Sequence, residues 1–594
     1  MLSKKSVLSI VLSLILPLSL LSCTETEDAS AATIDESTYD LTYSDRDYDA
    51  SYDESQATKI TLDGSSASIT GEGAEVSSST VTISQEGTYI ISGNLEGGEI
   101  LVNAPEDAKV QLVLNGAHVS SSNGPALYVQ SADKVFVTLA DGTTNSLSDS
   151  SQYDLEEGSD EPDATLFATS DLTIQGNGTL SVDANYQDGI KSKDDLVVTG
   201  GTIKVDASDD CLVGTDCAKI ASGTFDLDAQ GSGIISSKDD DETKGYVLID
   251  DGNIQITAGN KGIVSETYLK IAGSNLDIQA EDDGLHSNKY LSITGGEITI
   301  TAADDGIHAD TILEINDGST KISQSEEGIE AQRIVINGGT TYVTASDDAL
   351  NASSGSTSTT ETVNTSESSN SSSTNVTNSP DANEQTQAAS ASPMQAHEKP
   401  NQDNPQGQVA NPGAGGGMEA DSSCSLEIND GYLVVDSGGD GLDSNGSLLV
   451  NGGITLVSGP MNNGNSALDY GTEAQITGGY LIAAGSSGMA ESFSDSSQAF
   501  ALVNASGEAE SEIAIADENG NVLASFTPQK SYDCVIVSTP DLNDGSTYYL
   551  TVGESVADTN DDGFTTSGSV DLSSAQSFTA SCEAQVQGGG GPRM

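Results

Sequence analysis

The sequence predicts an all-β protein, a parallel β-helix of about 22 residues per coil followed by a small C-terminal antiparallel β domain. The main observation is a short phrase, usually an acidic pair, then Gly and an apolar residue. Its apolar member recurs at steps of 22, 22, 29, 22, 22, 22 and 21 residues. A repeat of this length cannot bury its own apolar face, but stacked copies can. The recurring apolar residues are Ile190, Leu212, Ile234, Ile263, Leu285, Ile307, Ile329 and Leu350.

The repeat that begins at Tyr290 shows how one coil is built. Its apolar and polar residues alternate in short runs separated by glycines, which predicts three short strands and three bends. The glycines are expected where the chain needs a positive φ or a close backbone approach. A leucine-rich solenoid has a similar period, but its leucine signature and asparagine ladder are missing. The predicted core residues are Leu291, Ile293, Ile298, Ile300 and Ile307, and the predicted solvent-facing residues are Ser292, Thr294, Glu297, Thr299 and Thr301.

The N-terminus, residues 1–22, predicts a lipoprotein signal peptide. Two lysines precede an apolar run from Val7 to Leu21, which is short for a membrane span, and the run ends in Leu-Leu-Ser-Cys. This ending is similar to a bacterial lipobox, so Cys23 is the expected lipidation site. We therefore expect an extracellular lipoprotein that is held at the bacterial cell surface by its lipid alone.

The rest of the chain divides by composition. Residues 23–59 are acidic and rich in Tyr, Ser and Asp, which predicts a flexible tether. Residues 60–492 form the predicted β-helix, with less regular capping coils at its start. A Ser/Thr/Asn/Gly-rich insertion at 352–423, which has almost no large apolar residue, is expected to be disordered. Longer strands and hairpin-like turns predict a β cap at 493–580, and residues 581–594 a flexible tail.

The composition excludes some functions. The chain has 20 Lys and Arg residues against 92 Asp and Glu residues, a formal charge of −72, so its surface repels nucleic acid. Trp is absent and aromatic residues make up 4%, which argues against flat stacking on a crystalline glucan. Apart from Cys23 there are five cysteines and no CxxC pair, so neither a zinc site nor a redox motif is predicted. A disulfide between Cys534 and Cys582 is left open.

Carboxylates recur at the same bend of consecutive coils. Adjacent coils bring equivalent side chains to within about 5 Å, where like charges repel each other unless a cation lies between them. Oxygen ligands in such number favour Ca²⁺ over a transition metal, although Asp-Gly is also simply a good turn. The candidate calcium ligands are Asp188, Asp209, Asp210, Asp282, Asp283, Asp304, Asp305, Glu326, Glu327, Asp347, Asp348, Asp440 and Asp443.

Four basic or titratable side chains are candidates for contacts with a substrate. His286 and His308 lie one coil apart at equivalent positions, where a sugar contact or a plain ladder is favoured over a transition-metal site. Lys191 and Lys193 lie beside an acidic bend, where such lysines mostly offset local charge and less often act as a catalytic base. No signature of a serine hydrolase, a nucleotide-binding loop or a zinc protease is found.

Several segments resemble the clostridial type of bacterial carbohydrate-binding domain-containing proteins. They are NYQDGIKSKDDLVVTGGTIKVDASDD at 185–210, the coils after it, the low-complexity interruption and the end at 526–553 with TYYLTVG. The resemblance covers most of residues 60–555. It implies a right-handed parallel β-helix that binds calcium and polysaccharides, including pectic acid and cellulose, and that is similar in fold to family 9 pectate lyases.

Those lyases carry an acidic trio that binds calcium, one coil after an Asp-Gly pair, and then a lysine that acts as base. Here Glu326-Glu327-Gly328-Ile329-Glu330 matches the trio and follows Asp305-Gly306, which adds Glu330 to the candidate ligands. The next coil has Asn351 where the lysine is needed, and Lys191 lies before the Asp209 coil instead. The resemblance therefore implies calcium binding but not catalysis.

The favoured interpretation is a monomeric, non-catalytic, calcium-dependent protein that binds an acidic, pectin-like or other plant cell-wall polysaccharide. The first alternative is a pectate-lyase-like enzyme that acts by β-elimination, with Ca²⁺ acidifying the sugar and Lys191 or Lys193 as base. The second alternative is a structural adhesin or stalk without a sugar site.

Overall fold

The computed structural model describes residues 33–155, 158–354 and 420–585. The predicted signal peptide, Cys23, the start of the tether, most of the insertion and residues 586–594 lie outside these ranges. The helices in the described part are short, namely Glu36–Thr38, Asp45–Tyr48 and Leu572–Ser574. Among the described residues, no helix is long and apolar enough to span a bilayer.

The predicted parallel β-helix is confirmed: a β-solenoid of about 15 turns has strands that form three sheets along its length. The first sheet contains Thr80–Ile83, Glu99–Asn103, Leu127–Ser131, Ala164–Ala168, Asp188–Ser192, Leu212–Gly214, Ile234–Ser236, Ile263–Ser265, Leu285–Ser287, Leu350–Ala352, Leu442–Ser444 and Leu468–Tyr470. The second sheet contains Lys134–Leu139, Asp171–Gly176, Asp195–Val198, Cys217–Ile220, Tyr246–Ile249, Tyr268–Ile271, Tyr290–Ile293, Ser425–Ile428, Ser447–Val450 and Glu473–Ile476.

The third sheet contains Thr144–Ser148, Thr179–Ala184, Thr202–Ala207, Thr224–Ala229, Asn253–Ala258, Asn275–Ala280, Glu297–Thr301, Ser319–Gln324, Thr340–Ala345, Tyr432–Ser437, Ile454–Ser458 and Tyr480–Gly485. Some longer strands bend and serve two sheets. Ile307–Ile315 and Ile329–Ile336 belong to the first and then the second sheet. Thr58–Gly64, Gly87–Glu96 and Lys109–Ser120 continue the second and third sheets at the N-terminal end.

The register follows the repeat of the sequence. Leu285 pairs with Ile307, and Ile307 with Ile329, so the recurring apolar residue forms one continuous column in the core. All five predicted core residues of the Tyr290 repeat are at most 1% exposed. Of the five that were predicted to face water, Ser292 is instead buried, because Asn316 covers it and donates to its hydroxyl at 3.4 Å.

The glycines of the bends serve the two purposes expected of them. Gly296, between the second and third sheets, has a φ of +101°. Gly306, in the acidic bend, lies so close to the next coil that an added Cβ would be 2.6 Å from the carbonyl oxygen of Gly328. The expectation that an asparagine ladder is missing was wrong. One runs along the bend between the second and third sheets, with Nδ2 to Oδ1 distances of 2.8–2.9 Å, and its members are Asn316, Asn337, Asn429 and Asn451.

The N-terminal end of the solenoid is closed by two antiparallel pairs. Ser66–Thr70 pairs with Thr58–Gly64, and Ala74–Ser77 pairs with Thr80–Ile83. Antiparallel hairpins use the edge groups that an open parallel coil would leave unpaired. The irregular spacing of the first coils therefore reflects a cap, as the sequence suggests.

Residues 33–57 correct the prediction of a flexible tether, because they lie against the outer face of the second sheet. We call this segment the strap. Tyr39 packs on Tyr246 and Tyr268 at centroid distances of 5.4 and 5.0 Å. Asp47 is buried and bonds to Lys134 at 3.0 Å and Thr173 at 2.7 Å. The polar composition of the strap predicts a solvated chain. Its side chains instead form ring contacts, an ion pair and a hydrogen bond with residues of the second sheet.

Both interruptions of the repeat leave the solenoid at the same bend, between the first and second sheets. The loop at 236–246 joins Ile234–Ser236 to Tyr246–Ile249. The insertion leaves after Leu350–Ala352, and the chain returns as Ser425–Ile428, which pairs in register with Arg333–Ile336. Ser354 donates to Asp421 at 2.8 Å and closes the neck of the insertion. The insertion therefore does not disturb the stacking of the coils.

The predicted C-terminal antiparallel β domain is confirmed. Cys534–Ser538 pairs antiparallel with Tyr480–Gly485 of the last coil and with Phe500–Val503. A separate four-stranded antiparallel sheet consists of Ile513–Ala516, Val522–Phe526, Thr547–Val552 and Gln576–Thr579. The domain packs on the outer face of the third sheet, where Tyr432 donates to Asp562 at 2.8 Å.

The disulfide between Cys534 and Cys582 is not formed, and both thiols are free. Cys534 pairs with Gly485 at one end of its strand, whereas Ser581, the residue before Cys582, bridges Phe500, which pairs with Ser538 at the other end. Four residues of strand, about 13 Å, separate the two ends, which is too far for a disulfide.

Candidate functional site

The acidic bend before the first sheet places one carboxylate of each phrase in a column that we call the inner column. Its acidic members are Asp188, Asp210, Asp283, Asp305, Glu327, Asp348 and Asp440. Several accept a hydrogen bond from the backbone of the next coil. Asp188 accepts from the Asp210 amide at 3.3 Å, and Asp283 accepts from the Asp305 amide at 3.1 Å. These bonds hold consecutive coils in register. The preceding carboxylates, Asp209, Asp282, Asp304, Glu326 and Asp347, are exposed or half-buried.

A second column lies three residues further along, on the outward side of the first sheet, and we call it the outer column. The pairing of neighbouring strands in the first sheet fixes the order of the residues in the outer column. Its members are Lys191, Val213, Ile235, Val264, His286, His308, Glu330, Asn351, Asp443 and Asp469. The two columns run side by side along one face of the molecule.

Lys191 neutralises Asp163 and Asp188 at the N-terminal end of the columns, whereas Asp210, one coil further on, forms no ion pair with a described Lys, Arg or His, and burial raises its pKa to about 7. The Lys191 ammonium group donates to Asp163 at 2.5 Å and to Asp188 at 2.9 Å. Burial alone would lower the pKa of Lys191, but the two carboxylates raise it above its usual range. Burial raises the pKa of Asp188 to about 6. Lys193 is more exposed and pairs with Glu161 at 2.5 Å. Both lysines are thus engaged in ion pairs, and Lys191 is held protonated.

Lys261 neutralises the middle of the columns, where His286 bonds to the same carboxylate. Both bond to Asp283, with the His286 Nδ1 at 2.8 Å from the carboxylate. Burial alone would raise the pKa of Asp283, but the bonds from His286 and Lys261 hold it well below its usual range. His286 Nε2 is 2.8 Å from Asn288 Oδ1, so both ring nitrogens have partners.

His308 lies one coil further on, with its ring stacked on that of His286 at a centroid distance of 4.8 Å. Its Nδ1 is 2.8 Å from Asp305 and 3.1 Å from Glu330, and its Nε2 is 3.1 Å from Asp310. Burial would lower the pKa of His308, but these carboxylates raise it to about 12. A protonated imidazole therefore acts here as the counter-ion of the buried carboxylates.

Beyond His308 the columns contain several carboxylates that no Lys, Arg or His of the described ranges neutralises by an ion pair. Burial raises the pKa of Asp443 to about 8, and the nearby Asp348, Asp469 and Asp440 contribute to this rise. Burial likewise raises the pKa of Glu327 to about 7 and that of Asp440 to about 7, although the Ser466 amide donates to Asp440. This part of the columns, which we call the uncompensated segment, comprises Glu327, Asp348, Asn351, Asp440, Asp443 and Asp469.

Two buried oxygens in the uncompensated segment lack a donor among the described residues. Asp443 is 1% exposed and its Oδ1 has no hydrogen-bond partner. Asn351 pairs with Asp443 from the preceding coil, and its buried Oδ1 also has no hydrogen-bond partner. Its Nδ2 donates to Glu327 at 2.9 Å. Buried oxygens need a donor or a cation. Carboxylate and amide oxygens are the ligands that Ca²⁺ prefers, so the residues fit this ion.

Three groups of side chains, none of them in the uncompensated segment, bring possible ligand atoms to within 4.8 Å of one another. They are Asp188 with Asp209 and Asp210, Asp282 with Asp283 and Asp304, and Asp305 with His308 and Glu330. Lys191 already pairs with one carboxylate of the first group, Lys261 with two of the second, and His308 with both carboxylates of its own group. A metal ion would have to compete with these cations, which makes the uncompensated segment the stronger candidate.

Sequence reasoning missed several contributors to the site. In NKGIV, Lys261 stands where other copies of the phrase have their second acidic residue, so the repeat predicts that it belongs to the inner column. The repeat does not show that it neutralises Asp283. Asp469 occupies the position in its coil that Asp443 occupies in the coil before, and the two residues pair. Asp163 comes from a less regular coil that no repeat signal marks.

Comparison with known proteins places these features in context. The model of the carbohydrate-binding domain-containing protein family matches residues 77–328 and 280–410, together more than half of the chain. A carbohydrate-binding domain-containing protein of Acetivibrio thermocellus is 39% identical over 137 residues, or 23% of this chain. The chain spans about half of that relative, 48% of its length.

A solved structure is also similar. It is described as the polysaccharide lyase-like protein from C. thermocellum, in a gadolinium derivative. The similarity has 31% sequence identity and a TM-score of 0.38, and it covers 44% of this chain and 96% of the solved one.

Proposed function

This chain belongs to the family of carbohydrate-binding domain-containing proteins, and we propose that it is a non-catalytic protein that binds an acidic, pectin-like polysaccharide through Ca²⁺. The polysaccharide would lie along the two columns on the outer face of the first sheet. Lys191, Lys193, His286 and His308 line this face and are proposed to contact it.

The buried carboxylate of Asp443 is the observation that carries the proposal. It has an unpartnered oxygen and lies among other carboxylates without a Lys, Arg or His partner in the described ranges. Asp348, Asn351, Asp440, Asp443 and Asp469 would hold the calcium ion. When bound, the ion would supply positive charge that both the protein carboxylates and the uronate groups of a glycan can share.

The geometry favours binding over cleavage. A lysine can take the proton in a β-elimination only when it is neutral, whereas Asp188 and Asp163 hold Lys191 protonated. Lys193 pairs with Glu161. In the outer column, Asn351 and Asp443 follow the acidic trio, so the described part of that column offers no lysine there.

We also propose that the protein acts at the outer surface of a bacterial cell, anchored through a lipid on Cys23. The lipobox-like ending of the N-terminal apolar run supports this location. Glu36, which pairs with Lys270 on the second sheet, lies 13 residues after Cys23, so the solenoid would remain close to the membrane. Thirteen residues reach at most about 47 Å.

A pull-down with insoluble polygalacturonate tests the proposed function. The full chain should bind in the presence of calcium and be released by a chelator. Asp443→Asn should weaken calcium-dependent binding at least tenfold, because it removes a ligand charge. Asp277→Asn, which changes an exposed carboxylate on the third sheet, is the matched control and should bind normally. Binding that survives the chelator would contradict the proposal.

A further inference from the structure

A cleft at the N-terminal end of the same face has a chemistry that differs from that of the columns. Its volume is about 630 Å³, within the range of about 300–1,000 Å³ that is usual for ligand pockets. Leu101 and Tyr128 form its floor. They pair with each other and continue through Phe167 to Lys191, so the floor is an extension of the outer column.

The wall of the cleft is held in place without a ligand. Residues 149–155 contribute Tyr153, whose ring stacks on Tyr186 at 4.3 Å. The Tyr153 hydroxyl donates to Asp149 at 2.6 Å, and the Asp154 amide donates to the Asn123 carbonyl oxygen at 3.0 Å across the cleft rim. Such bonds preorganise the cleft, which lowers the entropic cost of binding.

The lining suits an uncharged sugar. Leu101 and the ring of Tyr128 offer an apolar platform for the C–H face of a pyranose, and Glu99, Gln130 and Asn123 offer polar groups for its hydroxyls. None of the described lining residues is Lys, Arg or His, so a uronate would meet only negative charge. Lys193 already neutralises Glu161, one of the three carboxylates that line the cleft.

We propose that this cleft is a second saccharide-binding site, which takes a short segment of uncharged sugars without calcium. This inference rests on the proposed function, because it assumes that the chain binds polysaccharide. Ten strand spacings separate Tyr128 from Asp443 along the first sheet, or about 48 Å. One glycan with neutral and acidic segments can thus engage both sites.

Gly124 provides a clean way to block the cleft. It lines the cavity, its φ is not positive, and a Cβ added there would meet no atom within 4 Å. Gly124→Tyr should therefore fill the cleft without straining the backbone. Gly124→Ala is the matched control, because it adds only one methyl group at the same position. Tyr128→Ala removes the apolar platform and serves as a second variant.

The test is calorimetric titration of the full chain with neutral tetrasaccharides of β-linked glucose, xylose, mannose and galactose, in excess chelator. At least one of the four tetrasaccharides should bind both the natural chain and Gly124→Ala. The same tetrasaccharide should bind Gly124→Tyr and Tyr128→Ala at least tenfold more weakly. Failure of all four to bind, or equal binding to Gly124→Tyr, would overturn the inference. Calcium-dependent binding of polygalacturonate reports separately on the proposed function, because it should depend on Asp443 and not on Gly124.

Discussion

Asp283 and Asp443 show how one neighbouring charge decides the state of a buried carboxylate. Asp283 is 3% exposed and Asp443 is 1% exposed, so burial acts on both in the same direction. Lys261 and His286 nevertheless hold the pKa of Asp283 below its usual range, whereas the pKa of Asp443 rises to about 8. The protein supplies its own cation in the first case, and we propose that calcium from solution supplies one in the second.

The stability of the metal-free protein should fall as pH rises through 6–8. The raised pKa values of Asp443, Asp440 and Glu327 mean that the folded state keeps protons that the unfolded chain has already lost above pH 4–5. Their contribution to stability is therefore favourable in mild acid and is lost as these groups ionise. Thermal melting in chelator should show Tm several degrees lower at pH 8 than at pH 5.5.

Calcium should reverse this trend. The ion binds ionised carboxylates and competes with protons, so its effect on Tm should be large at pH 8 and small at pH 5.5. Asp443→Asn should raise the Tm of the metal-free protein at pH 8 and reduce the gain from calcium. A Tm that calcium leaves unchanged at pH 8 would contradict the assignment of the uncompensated segment.

Lys191 should matter for stability far more than Lys193. Lys191→Met leaves two largely buried carboxylates unpaired, which costs about 3–5 kcal/mol. Lys193→Met removes a more exposed pair that is worth at most about 1 kcal/mol. Urea denaturation of the two variants measures the difference. Adding Asp188→Asn to Lys191→Met should restore part of the loss, and equal losses in the two single variants would refute the ranking.

At the scale of elements, the strap shows that a polar segment can be firmly docked. Ser44 caps the helix Asp45–Tyr48, and its amide donates to Asp47 at 2.9 Å. The same Asp47 reaches Lys134 and Thr173 on the second sheet, so one side chain joins the local helix to the solenoid. Glu36 completes the docking with Lys270 at 2.7 Å.

Asp47→Ala should release the strap while leaving the solenoid folded. The change removes the helix bond to Ser44 and leaves Lys134 without its closest partner. Limited proteolysis should then cut within residues 33–57 much faster than in the natural chain. Asp49→Ala alters an exposed residue of the same segment and should not change the cleavage rate. Unchanged protection of the strap in Asp47→Ala would contradict its role.

The elements that repeat were predictable and those that do not repeat were not. The steps between Leu285, Ile307 and Ile329 predicted their pairing, because equal steps place equivalent residues in one column. The strap carries no period, and the contacts of Tyr39 with Tyr246 and Tyr268 span more than 200 residues of sequence. Long-range contacts of this kind leave no local pattern in a single sequence.

The acidic columns show the same limit at the level of the site. Asp348 and Asp440 could be predicted as neighbours although the insertion separates them, because both belong to the repeated phrase. The sequence alone did not show that His308 pairs with both Asp305 and Glu330, since its Nδ1 meets carboxylates that come from two different coils. Candidate ligands were therefore predictable, whereas their counter-ions were not.

At the scale of the whole molecule, charge compensation changes along the solenoid. The N-terminal and middle coils contain Lys191, Lys261 and His308 as internal cations, whereas the coils around the insertion contain the uncompensated segment. The formal charge of −72 adds repulsion throughout. Divalent ions should therefore act mainly at the C-terminal coils, while the cleft at the other end is independent of them.

Calorimetric titration of calcium into the metal-free full chain at pH 8 is the most direct test of this view. The natural chain should show at least one saturable site, which should be lost or weakened at least tenfold in Asp443→Asn and retained in Asp277→Asn. The absence of saturable binding in the natural chain, or an identical titration for Asp443→Asn, would contradict the account.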